Sequence, residues 1–71
     1  MEIIKEYKME RYGNEYLITD YVCLIELDYH LYVIIHTKSM GNSTDTKHAT
    51  VKYYDDALRC MMMIVNKLEL G

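Results

Sequence analysis

Phenylalanine, tryptophan and proline are absent from this chain, and glycine occurs three times in 71 residues. Eight tyrosines make up the whole aromatic complement, so tyrosine has to serve both core and surface. Alanine and arginine are scarce too, whereas methionine, isoleucine, lysine and tyrosine are plentiful. AT-rich coding produces that bias, which speaks of the host genome and not of function.

Concentrated charge is also missing. Eight basic and eleven acidic residues give a formal net charge of -3, and the lysines stand singly, never in a run. A protein that grips nucleic acid through phosphates needs a basic face to displace counterions, so nucleic acid is a disfavoured partner. A small nucleic-acid-binding regulator stays as the alternative only if Lys5, Lys8, Lys38, Lys47 and Lys52 converge on one surface. The carboxylates are too dispersed for an acidic mimic of nucleic acid.

The two cysteines, Cys23 and Cys60, are far apart and form no CxxC pair. They read as buried free thiols in a reducing compartment, with a disulfide between them as the alternative. The opening MEIIKEYK carries a glutamate and lysines where a signal peptide needs an apolar core, and no apolar run is long enough to span a bilayer. A soluble, cytoplasmic protein with no membrane partner is the expectation.

No arrangement of chemistry-bearing residues rises above background. His30 and His36, six residues apart on one extended segment, stand about 20 Å apart and cannot share a metal ion. A nucleophilic pair of Cys23 or Cys60 with His36 requires a pocket that so short a chain rarely encloses. Asp55 and Asp56 are adjacent on a helix and point in different directions, which fits helix capping better than acid-base catalysis. The expectation is therefore no enzyme, no catalytic residue, no cofactor and no metal. A ligand-binding protein with a site at a dimer seam, lined by His36 and tyrosines, is a more distant alternative.

What the chain does contain is an almost unbroken apolar stretch from Tyr16 to Lys38, free of glycine and proline. It reads as two strands joined near Asp28-Tyr29-His30. Along the first, Leu17, Thr19, Tyr21, Cys23, Ile25 and Leu27 alternate with Tyr16, Ile18, Asp20, Val22, Leu24 and Glu26. Along the second, Leu31, Val33, Ile35 and Thr37 alternate with Tyr32, Ile34, His36 and Lys38. Neither face of this pair is plainly solvated, whereas a sheet with one wet face normally alternates apolar with polar.

The flanking segments complete the domain. Residues 3–12 form a first strand with Ile3, Tyr7 and Met9 on one face, turned back by Tyr12-Gly13-Asn14-Glu15, where glycine and asparagine accept positive φ. Ser39–Thr50 is rich in small polar residues and reads as a loop. Asp55 caps a final helix whose stripe is Leu58, Met61, Met62, Val65 and Leu68, widened by Ala57, Cys60 and Ile64, with Met63 outward.

The spacing thus predicts a single α+β domain over 1–71: a three-stranded or four-stranded antiparallel sheet, with strands over 3–12, 15–27 and 30–38, a loop over 39–50 and a helix over 55–69. One helix covers one sheet face. The other face is then left with more exposed apolar surface than a monomer usually carries. The expected interface residues are Ile18, Val22, Leu24, Tyr32 and Ile34, with Tyr16 and Met63 as further contacts. The expected function is a small non-enzymatic protein-protein interaction module that pairs with itself as a homodimer and binds another protein. Its size and composition are those of short phage and mobile-element proteins, so the expectation extends to a protein that binds and inhibits a host defence protein.

Overall fold

The computed structural model describes residues 1–28 and 30–71. Four strands, β1 (Glu2–Tyr12), β2 (Leu17–Asp28), β3 (Leu31–Met40) and β4 (Ser43–Val51), precede one helix, α1 (Tyr54–Leu70). They form one antiparallel sheet in the order β1-β2-β3-β4, so spatial neighbours are chain neighbours and every strand connection is a hairpin. The domain is α+β, with the C-terminal helix packed against the sheet.

The hairpins are built differently. Tyr12 pairs with Leu17, leaving a four-residue loop closed by the Gly13 N–H to the Tyr16 carbonyl at 2.9 Å. Neither Gly13 nor Asn14 takes a positive φ, contrary to the expectation for that turn. Between β2 and β3, Asp28 pairs with Leu31 and His30 sits at φ 63°, a left-handed conformation that a histidine adopts at a cost. Tyr29, in that turn, lies outside the described residues.

Between β3 and β4, Met40 pairs with Ser43 across Gly41 and Asn42. Positive φ falls on Gly41 alone, at 57°, as in hairpins that place glycine first.

The segment expected to be a loop is thus mostly strand. Residues 39–40 extend β3, and Ser43–Val51 pairs with it along its whole length. The reason is positional. β4 is an edge strand, exposed at every residue but Val51, so it needs few apolar side chains. Threonines at 44, 46 and 50 supply β-branched residues for an extended backbone.

One irregularity in β1 decides which residues face the helix. A bulge between Ile3 and Lys5 sets two residues against Leu24, so Ile3 and Tyr7 stand on opposite faces rather than together. Ile4 turns inward beside Tyr7, and Ile3 is left half exposed on the far side.

The helix begins after Tyr53, whose extended backbone precedes the first turn without a side-chain cap. Asp55 is therefore not the cap. With Asp56 it occupies the first turn, where negative charge suits the helix dipole, and Lys67 answers it in the last. Gly71 closes the end, its N–H reaching the Lys67 carbonyl at 3.0 Å.

Ala57, Met61 and Val65 recur at helical spacing and pack on Val22, Leu24 and Ile34. Leu58, Cys60, Ile64 and Leu68 widen that contact, whereas Met62, expected in the stripe, is 45% exposed. The result is a two-layer slab of 43 × 23 × 15 Å. Its radius of gyration is 13.0 Å, against about 11 Å for a compact domain of this length.

Candidate interaction surface

The two faces of the sheet carry opposite assignments from those the alternation suggested. Val22 and Leu24 are fully buried and Ile34 is 1% exposed, because they lie under α1. Tyr32 packs at the edge of the same core, its ring 5.7 Å from that of Tyr54 in an edge-to-face contact. Ile18 shares this face, since it pairs with Arg11 and Met40. The expected interface residues Ile18, Val22, Leu24, Tyr32 and Ile34 therefore belong to the covered face. Tyr16 stands in the β1–β2 loop against Gly41, and Met63 is 59% exposed on the outer side of the helix, so neither joins a common patch.

The bare face is the other one. Register places Tyr21, Cys23 and Ile25 of β2 beside Thr37, Ile35 and Val33 of β3; no described element packs over them, although Cys23 and Ile25 are themselves only 4% and 8% exposed. Ile3, Leu17 and Leu27 extend the apolar area toward its ends and are exposed. Along β1 it is bounded by Glu6, Lys8 and Glu10, with Lys8 Nζ 2.9 Å from Glu10 Oε1. Along β4 it is bounded by Thr44, Thr46, His48 and Thr50, and Thr37 and Thr46 hydroxyls meet at 3.3 Å. An apolar centre with polar margins is the make-up of an interface core and rim.

The chain exposes 5352 Å², where a compact monomer of its mass exposes about 4,700 Å². The excess of about 650 Å² belongs to the whole flat molecule, its exposed edge strand β4 included.

The chemistry of this face is quiet. Desolvation pushes the Cys23 thiol up from its ordinary value, and the nearby Glu6 carboxylate adds to the shift, so the group stays protonated and unreactive. Desolvation likewise raises the Tyr21 hydroxyl, with Glu6 again contributing. The conceivable pairing of Cys23 with His36 fails on geometry, because Cys23 shares its face with Ile35 and His36 points to the other side. Cys23 and Cys60 are free thiols on opposite sides of the sheet, so the disulfide alternative is excluded.

On the helix side, a polar cluster lies beyond the apolar core. Asp20 is completely buried, and His36 Nε2 donates to its Oδ1 at 2.9 Å. Arg11 Nη2 stands 3.4 Å from Oδ2, which has no hydrogen bond among the described residues. Asp20 faces Met9 on one neighbouring strand and Lys38 on the other, so Arg11 and His36 reach it from diagonal positions. Alternation had put Asp20 and His36 on apolar faces, but only the register shows that they touch.

The five lysines do not converge. Lys8 rises from the bare face, while Lys38 and Lys47 stand on the helix side with His36. No group of three or more His, Cys, Asp or Glu side chains among the described residues is placed to hold a metal ion, and no described helix is long and apolar enough to cross a membrane. No family model, curated protein or solved structure matches the chain.

Proposed function

We propose that this chain is a small non-enzymatic protein-protein interaction module that acts as a homodimer, joined through the bare sheet face. The observation that carries the reading is that face itself: a four-stranded sheet with a helix on one side and Cys23, Ile25, Val33 and Ile35 on the other. Two such sheets packed face to face stand about 10 Å apart with strands crossing at about 30°, the arrangement of a β-sandwich. The helices then lie outermost, and their exposed residues, Met62 and Met63 among them, form the surface offered to other proteins.

A second copy fits the face because two-fold dimers are the commonest soluble assemblies and because the face has two unlike margins, a charged one along β1 and a hydroxyl-rich one along β4. A two-fold axis along the strands sets each β1 margin over the partner's β4, so Glu6 and Glu10 never meet their own copies.

Absolute mass by light scattering over a wide concentration range tests this. The wild type is expected at twice the chain mass and Ile35→Glu at the chain mass with its helix intact by circular dichroism, while Met63→Glu stays dimeric. A wild type that remains monomeric at high concentration, or an Ile35→Glu variant that still pairs, overturns the reading.

A further inference from the structure

Because α1 is shorter than the sheet and crosses it obliquely, one corner of the helix-side face is left open. The helix starts with Tyr54 against Tyr32 and ends with Glu69 beside Tyr7, so it moves from the β3–β4 end of the core toward β1. Seventeen helical residues span about 26 Å, less than the 43 Å of the molecule's long axis. Two hollows remain over β3 and β4. One, of about 180 Å³, is lined by Ile34, Ala49 and Ile64 and reaches His36 and Lys47. The next, of about 260 Å³, is lined by His36, Lys38, Asp45 and Lys47.

They share His36 and Lys47, so an apolar slot opens directly into a charged one.

The charged hollow has the features of an anion site. Lys38 and Lys47 stand on the same side of neighbouring strands, because Lys38 pairs with Asp45 and His36 with Lys47. Neither ammonium group has an ion-pair partner within 4 Å among the described residues, although Asp45 lies directly across from Lys38 and Asp20 directly behind it. His36 is held by Asp20 through one ring nitrogen, and its side chain is 22% exposed. A fully buried carboxylate is expensive to desolvate, and valine or isoleucine at position 20 would avoid that cost. Its single hydrogen bond orients one imidazole at the junction of the two hollows.

We propose that this cleft binds a small phosphomonoester with an apolar body. The phosphate sits against Lys38, Lys47 and His36, and the organic group lies between Ile34, Ala49 and Ile64. Two ammonium groups without ion-pair partners, set against the one Asp45 carboxylate in the lining, can each take a different oxygen of a phosphate, and His36, whose Nε2–H goes to Asp20, adds a hydrogen bond to it only when Nδ1 is protonated. The site is on the opposite side of the sheet from the proposed dimer face, so it stands or falls independently of self-association.

The test is a nuclear magnetic resonance titration of the full isotope-labelled chain with phenyl phosphate, run beside benzoate, inorganic phosphate and benzyl alcohol. Phenyl phosphate is expected to shift the signals of His36, Lys47, Ala49 and Ile64 together and saturably. Inorganic phosphate is expected to shift only the charged half and to bind about tenfold more weakly or worse. The Lys38→Ala/Lys47→Ala double variant, which alters only side chains without ion pairs, should keep the wild-type spectrum elsewhere and lose at least about tenfold in affinity. Ile64→Ala should weaken phenyl phosphate and leave inorganic phosphate unchanged.

Absence of saturable shifts up to about 10 mM phenyl phosphate overturns the proposal. So does binding that the double lysine variant leaves unaltered. Benzoate binding as tightly as phenyl phosphate overturns the assignment to phosphate.

Discussion

Leu24 and Ile25 are adjacent in β2 and almost equally hidden from solvent, at 0% and 8% exposure, yet they stand on opposite faces of the sheet. Truncating each to alanine separates the covered face from the bare one. Leu24 is enclosed by Val22, Ile34 and the inner residues of α1, so its removal leaves a cavity between sheet and helix. Such truncations cost about 2–5 kcal/mol, against a total of about 4–10 kcal/mol for a domain of this length. Leu24→Ala should therefore remove a fifth or more of the stability, whatever the protein concentration.

Ile25 pairs with Ile3 and Val33 in its own layer, and no described element packs over it. In a single chain its truncation opens no closed cavity, and the loss is that of three largely hidden carbons, about 2 kcal/mol. In a face-to-face dimer the same residue is sealed between two sheets and its cost rises toward that of Leu24. Urea unfolding followed by circular dichroism at about 1 µM and about 100 µM protein separates the cases, since association makes apparent stability concentration-dependent. The Ile25→Ala penalty should grow with concentration while the Leu24→Ala penalty stays level. Equal penalties for both variants in dilute solution would refute the reasoning, because Ile25 would then be covered within its own chain.

Three further outcomes follow from individual side chains. His30→Gly should raise stability by about 0.5–1 kcal/mol in a thermal melt, because relief of the left-handed backbone outweighs the entropy glycine adds to the unfolded chain. Asp20→Ala should cost about 2 kcal/mol in denaturant, below the usual figure for breaking a buried pair because His36 and Arg11 keep access to water. Asp20→Asn, which keeps an oxygen for His36, should stay within about 1 kcal/mol of wild type.

The third concerns alkaline pH. Tyr7, Tyr21 and Tyr32 are raised above their ordinary value of 10.0, in each case first by desolvation and then by Glu69, Glu6 and Glu26 respectively. A hydroxyl whose folded pKa is raised contributes stability that is whole below the unfolded value and lost as pH climbs through the folded one. Urea midpoints should therefore hold to about pH 9 and fall above about pH 10. Tyrosinate absorbance should develop later than in the unfolded chain, and Glu69→Gln should bring the Tyr7 transition earlier.

Much of the fold was legible because β2 and β3 are long apolar runs without glycine or proline and the helix carries its own stripe. Residues 17–28 and 31–40 announce themselves by unbroken apolar and β-branched runs, and Ala57, Met61 and Val65 mark the inner side of α1. What alternation cannot supply is the choice between two faces that are both apolar. On β2 and β3, Val22, Leu24 and Ile34 look no more internal than Cys23, Ile25 and Ile35. The deciding residues lie on the outer strands. Ala49 pairs with Ile34 and Val51 with Tyr32, so the only apolar positions of β4 point to the helix side, while His48 and Thr50 point away. That signal stays hidden as long as the run of small polar residues reads as a loop.

The bulge at Ile3–Lys5 had a parallel effect on β1, since one inserted residue reverses every face assignment on its far side and no glycine marks the place. The polar cluster was out of reach for a related reason. Asp20 is sixteen residues from His36 and nine from Arg11, so contact among them depends on two registers at once. A reading confined to one strand at a time finds a stray aspartate on an apolar face. Only the paired sheet makes it the group that holds His36 at the mouth of a cleft.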